Sequence, residues 1–272
     1  MMQQASGRHE WPDAGVKVLV MLPTYNEIEN IRPMAEAVLA IETAPETGEI
    51  GVRSFELLIV DDNSPDGTGE IADGVAREHP GKVHVIHRKE RGRGTAGIAG
   101  FRFALTLDVD CLIEMDADFS HDPNDIPRFL KEIRDYDIVI GSRFARGGKT
   151  GSRSLFRKTV SMGAGFYARS VLGINVRDWH GGYKCYRTQA LARLRFEEFY
   201  SEGYSIGMET LYRLITAGCT YKEIPITFKE RMQGVSKFST REIRDYLTVA
   251  WRLRSRATKP EPHQISKDHL RR

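Results

Sequence analysis

The sequence has little cysteine, no long apolar run and no strong excess of charge. Its three cysteines, Cys111, Cys185 and Cys219, match no metal-ligand spacing. Cys111 and Cys219 stand in apolar company and read as core thiols, which fits a reducing cytosol. No stretch approaches the roughly 18 to 20 apolar residues of a membrane-crossing helix, and residues 1–15 lack the apolar segment of a signal peptide. The net charge of +3 is too small to argue for a nucleic-acid partner, although it suits a protein that handles phosphates or sits near an anionic membrane. No GxGxxG follows the first β-rich run, which argues against a nicotinamide cofactor. Gly92-Arg-Gly-Thr-Ala-Gly97 is a loose glycine match that follows the third strand instead. There is no internal repeat and no obvious His–Asp dyad.

What is present is alternation. Val16–Leu22 is a β-rich run ending at Pro23, and a helix follows the loop Thr24–Glu27 as far as Ile41, with Ile28, Ile31, Ala35, Val38 and Leu39 near helical spacing. Residues 43–54 read as an exposed loop. Strands are expected at Phe55–Val60, Val83–His87, the run leading to Asp116, and Asp137–Gly141, with helices at Thr68–Glu78, Gly92–Leu107 and Ile126–Arg134 between them. Such alternation with short links is the pattern of βαβ units, hence an α/β fold with a mostly parallel sheet flanked by helices. After Phe144 the chain changes: a basic glycine-rich segment, a helix over Leu155–Leu172, a loop and strand at Trp179–Tyr186, a helix at Met208–Ala217, a strand over Tyr221–Phe228 broken by Pro225, and a last helix at Ile243–Leu253. One domain is expected over 16–254, with a nucleotide-binding half (16–143) and an acceptor half (144–254), between polar tails at 1–15 and 255–272.

Carboxylates at strand ends carry the chemistry. Asp116-Ala117-Asp118 follows the apolar run Cys111–Ile113, so two hard oxygen donors emerge at the carboxyl end of a strand, where ligands bind in open α/β sheets and where a divalent cation can be shared with a phosphate. A polar loop capped by Asp122 is the plain alternative. Tyr25 and Glu27 offer a flat face and an acceptor for a nucleobase or ribose, or else form a turn capped by Asn26 or Thr24. Asp61-Asp62 ends the second strand and suits a ribose hydroxyl. Arg143, at another strand's carboxyl end, can grip a phosphate. Arg157 and Ser161 lie four apart on one helical face, on an apolar helix flanked by cations that suits a membrane edge. Arg231 and Lys237 lie on a glycine-containing loop that could close over a diphosphate.

The series Pro23-Thr-Tyr-Asn-Glu27, Val60-Asp-Asp-Asn-Ser-Pro-Asp-Gly-Thr68, Met115-Asp-Ala-Asp118, Gly141-Ser-Arg143 and Arg231…Gly234…Ser236-Lys237 resembles dolichol- and polyprenol-phosphate mannosyltransferases. These are family 2 inverting glycosyltransferases of the GT-A fold, here of the type without transmembrane helices. The resemblance implies that Pro23, Tyr25 and Glu27 hold guanine, that Val60 and Asp62 meet base and ribose, and that Ala117 lies in the same donor site. It implies Mg²⁺ or Mn²⁺ on Asp116 and Asp118, with Ser120 as a weaker third ligand. Arg143, Arg157 and Ser161 would take the acceptor phosphate, and Arg231 and Lys237 the donor diphosphate. The implied partners are GDP-mannose and a polyprenyl or dolichyl phosphate, reached from the cytosolic face of a membrane by peripheral contact or through an anchoring protein. Trp179-His-Gly-Gly-Tyr183 and Tyr204-Ser-Ile-Gly-Met-Glu209 depart from the family's usual strings where sugar and acceptor contacts are expected, so donor identity is less closely fixed than reaction class. A UDP-sugar transferase onto the same lipids, a sugar-nucleotide pyrophosphorylase and a non-catalytic lipid-phosphate-binding scaffold are the competing readings.

Overall fold

The computed structural model describes residues 15–89, 92–151, 155–201, 203, 205–229 and 240–257. β1 (Val16–Thr24) pairs in parallel with β2 (Val52–Asp61) on one side and β4 (Cys111–Glu114) on the other. β2 carries β3 (Val83–His87) at the sheet edge. Beyond β4 come β7 (Lys184–Arg187), β5 (Ile138–Ser142) and β8 (Tyr221–Pro225), giving a seven-stranded sheet in the order β3-β2-β1-β4-β7-β5-β8. β7 alone runs against its neighbours β4 and β5, so the expected parallel sheet carries one antiparallel strand, contributed by the acceptor half. The expected strand over Tyr221–Phe228 divides after Pro225: β9 (Thr227–Phe228) leaves the main sheet to pair with β6 (Lys149–Thr150).

Both faces of the sheet are covered, and β1 shows why its sequence is nearly all apolar. Val16, Val18, Val20 and Leu22 face one core, shared with α1 (Ile31–Ala40), α3 (Thr68–Glu78) and α5 (Ile126–Glu132). Leu19 and Met21 face the other, with α4 (Arg93–Ala104), α6 (Leu155–Leu172), α8 (Ile206–Thr216) and α9 (Thr240–Ala257). A short helix, α7 (Thr188–Leu191), follows β7.

Two local expectations change. The loop expected over residues 43–54 contains α2 (Pro45–Ile50): Pro45 opens it, Gly51 closes it in the left-handed region (φ 76°), and Thr47 and Ile50 are buried. Pro at the first turn and Gly just past the end are the usual asymmetric signals of a short helix. α1 begins at Ile31, not directly after Glu27. Thr24 belongs to β1 and Asn26 is left-handed (φ 58°), so neither caps that helix, and Ile28 faces solvent.

Candidate active site

The strand order sets where a ligand can bind. From β1 the chain winds outward through β2 to β3 and then returns to place β4 on the other side of β1. The carboxyl ends of β1 and β4 therefore flank a topological switch point. In register, Pro23 lies level with Val60 and Thr24 with Asp61, and Met115 N–H donates to the Met21 carbonyl at 3.1 Å. The residues after β2, β1 and β4 thus emerge along one edge. β7 runs the other way, so the segment that precedes it, Asp178 to Tyr183, reaches the same edge, as do the ends of β5 and β8.

The acid loop is closely held. The Asp116 N–H donates to His121 Nδ1 (3.0 Å), and Asp118 Oδ1 accepts from the Ser120 N–H (3.0 Å). Phe119 between them takes a positive φ of 58°. Asp118, Ser120 and His121 are buried. The His121 ring packs on Tyr183 and edge-on to Phe228, with centroids 4.9 and 5.4 Å away, and Tyr183 Oη donates to the Asp122 carbonyl (2.9 Å). The Ser120 carbonyl accepts from the Lys229 N–H at 3.0 Å. Asp122 does cap the short turn Pro123–Asp125, accepting from the Asn124 N–H, so the plain reading of that residue is true beside the acid pair. Among the described residues no three Asp, Glu, His or Cys side chains form a ligand cluster. The hard oxygen donors at this loop are the Asp116 and Asp118 carboxylates and the Ser120 hydroxyl. That hydroxyl is buried without a hydrogen-bond partner among the described residues. Hard oxygens of this kind fit Mg²⁺ or Mn²⁺, with further ligands supplied by water or a phosphate.

The loops that follow β1 and β2 lie along the same edge as the acid loop. The loop after β1 is stitched to Ser64-Pro-Asp-Gly-Thr68. Asn26 N–H donates to Ser64 Oγ (3.0 Å), Glu27 N–H to Thr68 Oγ1 (2.9 Å) and Ile28 N–H to Asp66 Oδ2 (3.2 Å). Pro23, Tyr25 and Glu27 are half-buried there, and Glu27 Oε2 accepts from Asn30 Nδ2 at 2.7 Å. Asp62 is buried and bound by the Arg88 guanidinium and by the Gly92 N–H (2.8 Å). Arg88 continues to Thr95 Oγ1 at 2.7 Å. Val60 turns its side chain fully into the core, and its carbonyl accepts from Thr24 Oγ1 at 3.2 Å. Ala117 is buried within the acid loop.

Arg143 sits across the edge, clamped by Asp178. The Arg143 backbone N–H and Nε both donate to Asp178 Oδ2 (2.9 and 2.8 Å), and Nη2 donates to Oδ1 (2.7 Å). Asp178 is fully buried. Burial works to raise its carboxyl, but the Arg143 guanidinium wins and holds it down to about 2. Glu223 supports the clamp from beneath by accepting the Arg177 and Asp178 N–H groups at 3.0–3.1 Å. Burial pushes Glu223 up, against those N–H donors and the Ser142 hydroxyl. A cavity of about 390 Å³ opens beside Arg143, lined by Lys149, Thr150 and Thr227. A second, of about 450 Å³, lies behind the acid loop under Lys229. Ser161, on α6, is half-buried, and Gly165 one turn further on packs against the Arg177 carbonyl, where a Cβ would come within 3.1 Å. That helix face therefore meets the loop that carries Asp178. Arg231 and Lys237 lie outside the described residues, as does the side chain of Arg157.

His180 and Glu209 find structural partners. His180 stacks on Tyr246 (centroids 4.1 Å apart). Burial lowers it to about 4 despite the Asp178 carboxylate nearby. Glu209 is buried, accepting from the Ser201 N–H (3.0 Å) and Arg213 Nε (2.9 Å). His121, Arg88, Asp178 and Glu223 carry no sequence expectation of their own. Arg88, Asp178 and Glu223 act through partners distant in the chain, and His121 through Asp116 and the ring of Tyr183.

Known proteins resemble this chain over most of its length. The chain is 42% identical to an undecaprenyl-phosphate mannosyltransferase from Micrococcus luteus, covering 82% of this chain and 88% of that one. It is 37% identical to a polyprenol monophosphomannose synthase from Mycolicibacterium smegmatis, over 88% of both chains. Among solved structures, glucosyl-3-phosphoglycerate synthase from Mycobacterium tuberculosis, in complex with Mn²⁺, UDP and glucosyl-3-phosphoglycerate, superposes with a TM-score of 0.60. It shares 18% identity over 91% of this chain and 82% of that one. That likeness bears on the fold, which is the GT-A arrangement expected from the motifs. The family profile of glycosyl transferase family 2 matches residues 19–195, a span that runs from β1 past the acid loop to the Asp178 clamp, and the chain belongs to that family.

Proposed function

We propose that this protein transfers mannose from GDP-mannose to a polyprenyl phosphate, giving a polyprenyl-phosphate mannose. The observation that carries the reading is that one sheet edge carries both the Asp116–Asp118 loop, with Asp118 buried, and an arginine fixed by a buried carboxylate. A sugar diphosphate and an anionic nucleophile need those two neighbours. The names of the relatives from Micrococcus luteus and Mycolicibacterium smegmatis point the same way.

In this reading an acceptor phosphate oxygen attacks the anomeric carbon. The new C–O bond forms as the bond to the diphosphate oxygen breaks, and GDP leaves with the electron pair. A phosphomonoester with a second pKa near 6 is largely dianionic at neutral pH, so no protein base has to take a proton. Arg143, held rigidly by Asp178, would orient that phosphate together with Arg157 and Ser161. Asp116 and Asp118, with Ser120, would hold Mg²⁺ or Mn²⁺, which when bound neutralises charge developing on the leaving diphosphate. Lys229 is tied to Ser120 through its backbone, and Arg231 and Lys237, a few residues further along the sequence, would supply cations to the same diphosphate. Pro23, Tyr25, Glu27, Asp62 and the backbone at Val60 and Ala117 would form the nucleoside side.

A peripheral seat on the cytosolic face of a membrane belongs to the same proposal. Among the described residues no helix is long and apolar enough to cross a bilayer. Yet α6 exposes Met162 and Phe166, and α9 exposes Leu247 and Trp251, the last at 67%. Tyr167 Oη bonds the Leu247 carbonyl (3.2 Å), tying the two helices together. Arg169, Arg244 and Arg252 flank this apolar patch, the composition of a face that lies in a lipid headgroup layer. An anchoring protein on the same patch is the alternative occupant.

The test is transfer of labelled sugar from GDP-mannose and from UDP-glucose into a solvent-extractable lipid, with polyprenyl phosphate as acceptor. Label from GDP-mannose alone is the expected result. Label from UDP-glucose alone would replace the donor, and label from neither would leave a lipid-phosphate-binding role.

A further inference from the structure

The outer helix α9 reaches the acceptor arginine through two contacts. Its inner face packs Tyr246, Val249, Ala250 and Leu253 into the core, while Leu247 and Trp251 point outward. Tyr246 lies flat on His180, with ring centroids 4.1 Å apart and planes 26° apart. His180 belongs to the tight turn from Asp178 to Gly181, which closes when the Gly181 N–H donates to Asp178 Oδ1 (3.0 Å). Buried Lys184 grips the same turn by donating to the Gly181 carbonyl. The Asp178 carboxylate at the start of the turn holds Arg143 by its backbone and guanidinium.

Among the described residues no hydrogen bond joins the two rings of this contact. His180 Nδ1 and Tyr246 Oη are both buried without a partner among the described residues. The stack therefore depends on the placing of one ring over the other, and so on how α9 is seated. Burial keeps His180 uncharged at neutral pH, so its ring adds no second charge next to the Asp178–Arg143 pair.

We propose that His180 and Tyr246 are positioning residues for the acceptor phosphate: the seating of α9, read through the Tyr246–His180 stack, sets the Asp178 turn and through it the Arg143 guanidinium. The inference rests on Arg143 taking the acceptor phosphate, as proposed above. It places the acceptor side, and not the nucleotide side, under the control of the helix that carries Leu247 and Trp251.

The test measures binding, so that it does not depend on the sugar transferred. Farnesyl phosphate and GDP are titrated separately into the full chain by calorimetry, for the unaltered protein and for Tyr246→Ala and Tyr246→Phe. Tyr246→Ala is expected to weaken farnesyl phosphate about tenfold, the size of a coupling carried by a packed side chain, while GDP binding stays the same. Tyr246→Phe, which keeps the ring, is expected to restore the affinity. Thermal melting checks that the variants fold; should Tyr246→Ala not fold, Tyr246→Leu fills the volume without a ring face and is judged by the same outcomes. Unchanged farnesyl phosphate affinity, a parallel loss of GDP, or a Phe variant as weak as Ala would overturn the inference, as would no farnesyl phosphate binding by the unaltered chain. The mannose-transfer assay is read apart from these: binding with the expected pattern but no transfer from GDP-mannose removes the proposed reaction and leaves the positioning intact.

Discussion

Asp178 holds Arg143 by three hydrogen bonds, one of them from the arginine's own backbone N–H. The side chain and the main chain of Arg143 are thus fixed by one carboxylate that is itself fully buried. Removing one partner of a buried ion pair costs about 3–5 kcal/mol. Asp178→Asn is therefore expected to lower stability by several kcal/mol, and chemical denaturation of the two proteins at neutral pH measures it.

The same turn sets two acid transitions. His180 has a folded pKa near 4 against an ordinary 6.5, so between those values the unfolded chain binds the extra proton. Stability is then complete above about pH 6.5 and falls toward pH 4, by about 3 kcal/mol in all. Asp178, held to about 2 against an ordinary 3.8, contributes stability that is present above about pH 4 and lost as pH falls through 2, on the order of 2 kcal/mol. Denaturant midpoints followed from pH 7 to pH 2 should decline in two steps. His180→Gln should flatten the first and leave the second. A single step, or a first step that survives in His180→Gln, would assign the titration to other groups.

Asp118→Ala should reduce sugar transfer by at least about a hundredfold, the scale of losing a key electrostatic element at a leaving group, while the fold is kept. Asp118 accepts the local Ser120 N–H and stands in the loop beyond β4, which ends at Glu114, so no strand pairing runs through it. Near-normal turnover in saturating Mg²⁺ or Mn²⁺, with a normal melting profile, would remove the pair from the cation site.

The position of the acid pair was legible in the sequence because the apolar run Cys111–Ile113 reads as a strand with Asp116 just past its carboxyl end. The string Asn63-Ser-Pro-Asp-Gly67 carries turn residues, and in the structure Ser64, Asp66 and Thr68 brace the loop after β1. What holds these residues was not legible. Asp178 lies 35 positions from Arg143, Arg88 lies 26 from Asp62, and Glu223 lies 45 from Asp178. No period or local propensity reports a partner at such a distance. The direction of β7 was hidden for the same reason: four residues, Lys184–Arg187, read as a strand, but neighbours decide which way a strand runs. Val60 shows the limit of strand-end reasoning. In a sheet covered on both faces every side chain is a candidate for burial, and position at the carboxyl end did not say that Val60 faces inward. The helix at Pro45–Ile50 differs, because its Pro and Gly signals stand in the sequence and were outweighed by the polar character of the segment.

Arg157→Ala should raise the acceptor KM more than the donor KM. Loss of one hydrogen bond to a charged phosphate, about 1.5–3 kcal/mol, corresponds to roughly ten- to a hundredfold. Ser161, four residues on along α6, should show a smaller change in the same direction when replaced by Ala. Steady-state kinetics with each substrate varied in turn decide it: a larger change in the donor KM would move α6 away from the acceptor.

The turn after Arg143 offers a test that acts through the backbone. At Gly148 an added Cβ would meet the Ser142 carbonyl oxygen at 2.6 Å and the Arg143 carbonyl oxygen at 2.7 Å. These are main-chain atoms at the foot of the clamp, and unlike a side-chain end they cannot swing aside. Gly148 also donates its N–H to the Ala145 carbonyl at 2.8 Å, so the turn has little room to open. Gly148→Ala should therefore cost about 1–3 kcal/mol of stability, as overpacking does, and weaken acceptor binding by shifting Arg143, with GDP binding unaltered. Gly163→Ala on α6 is the matched control. Nothing lies within 4 Å of its added Cβ, and alanine is the better helix former by about 1 kcal/mol, so that variant should melt at the same temperature or higher. If Gly148→Ala melts like the control and binds farnesyl phosphate normally, the contact between this turn and Arg143 does not set the acceptor site.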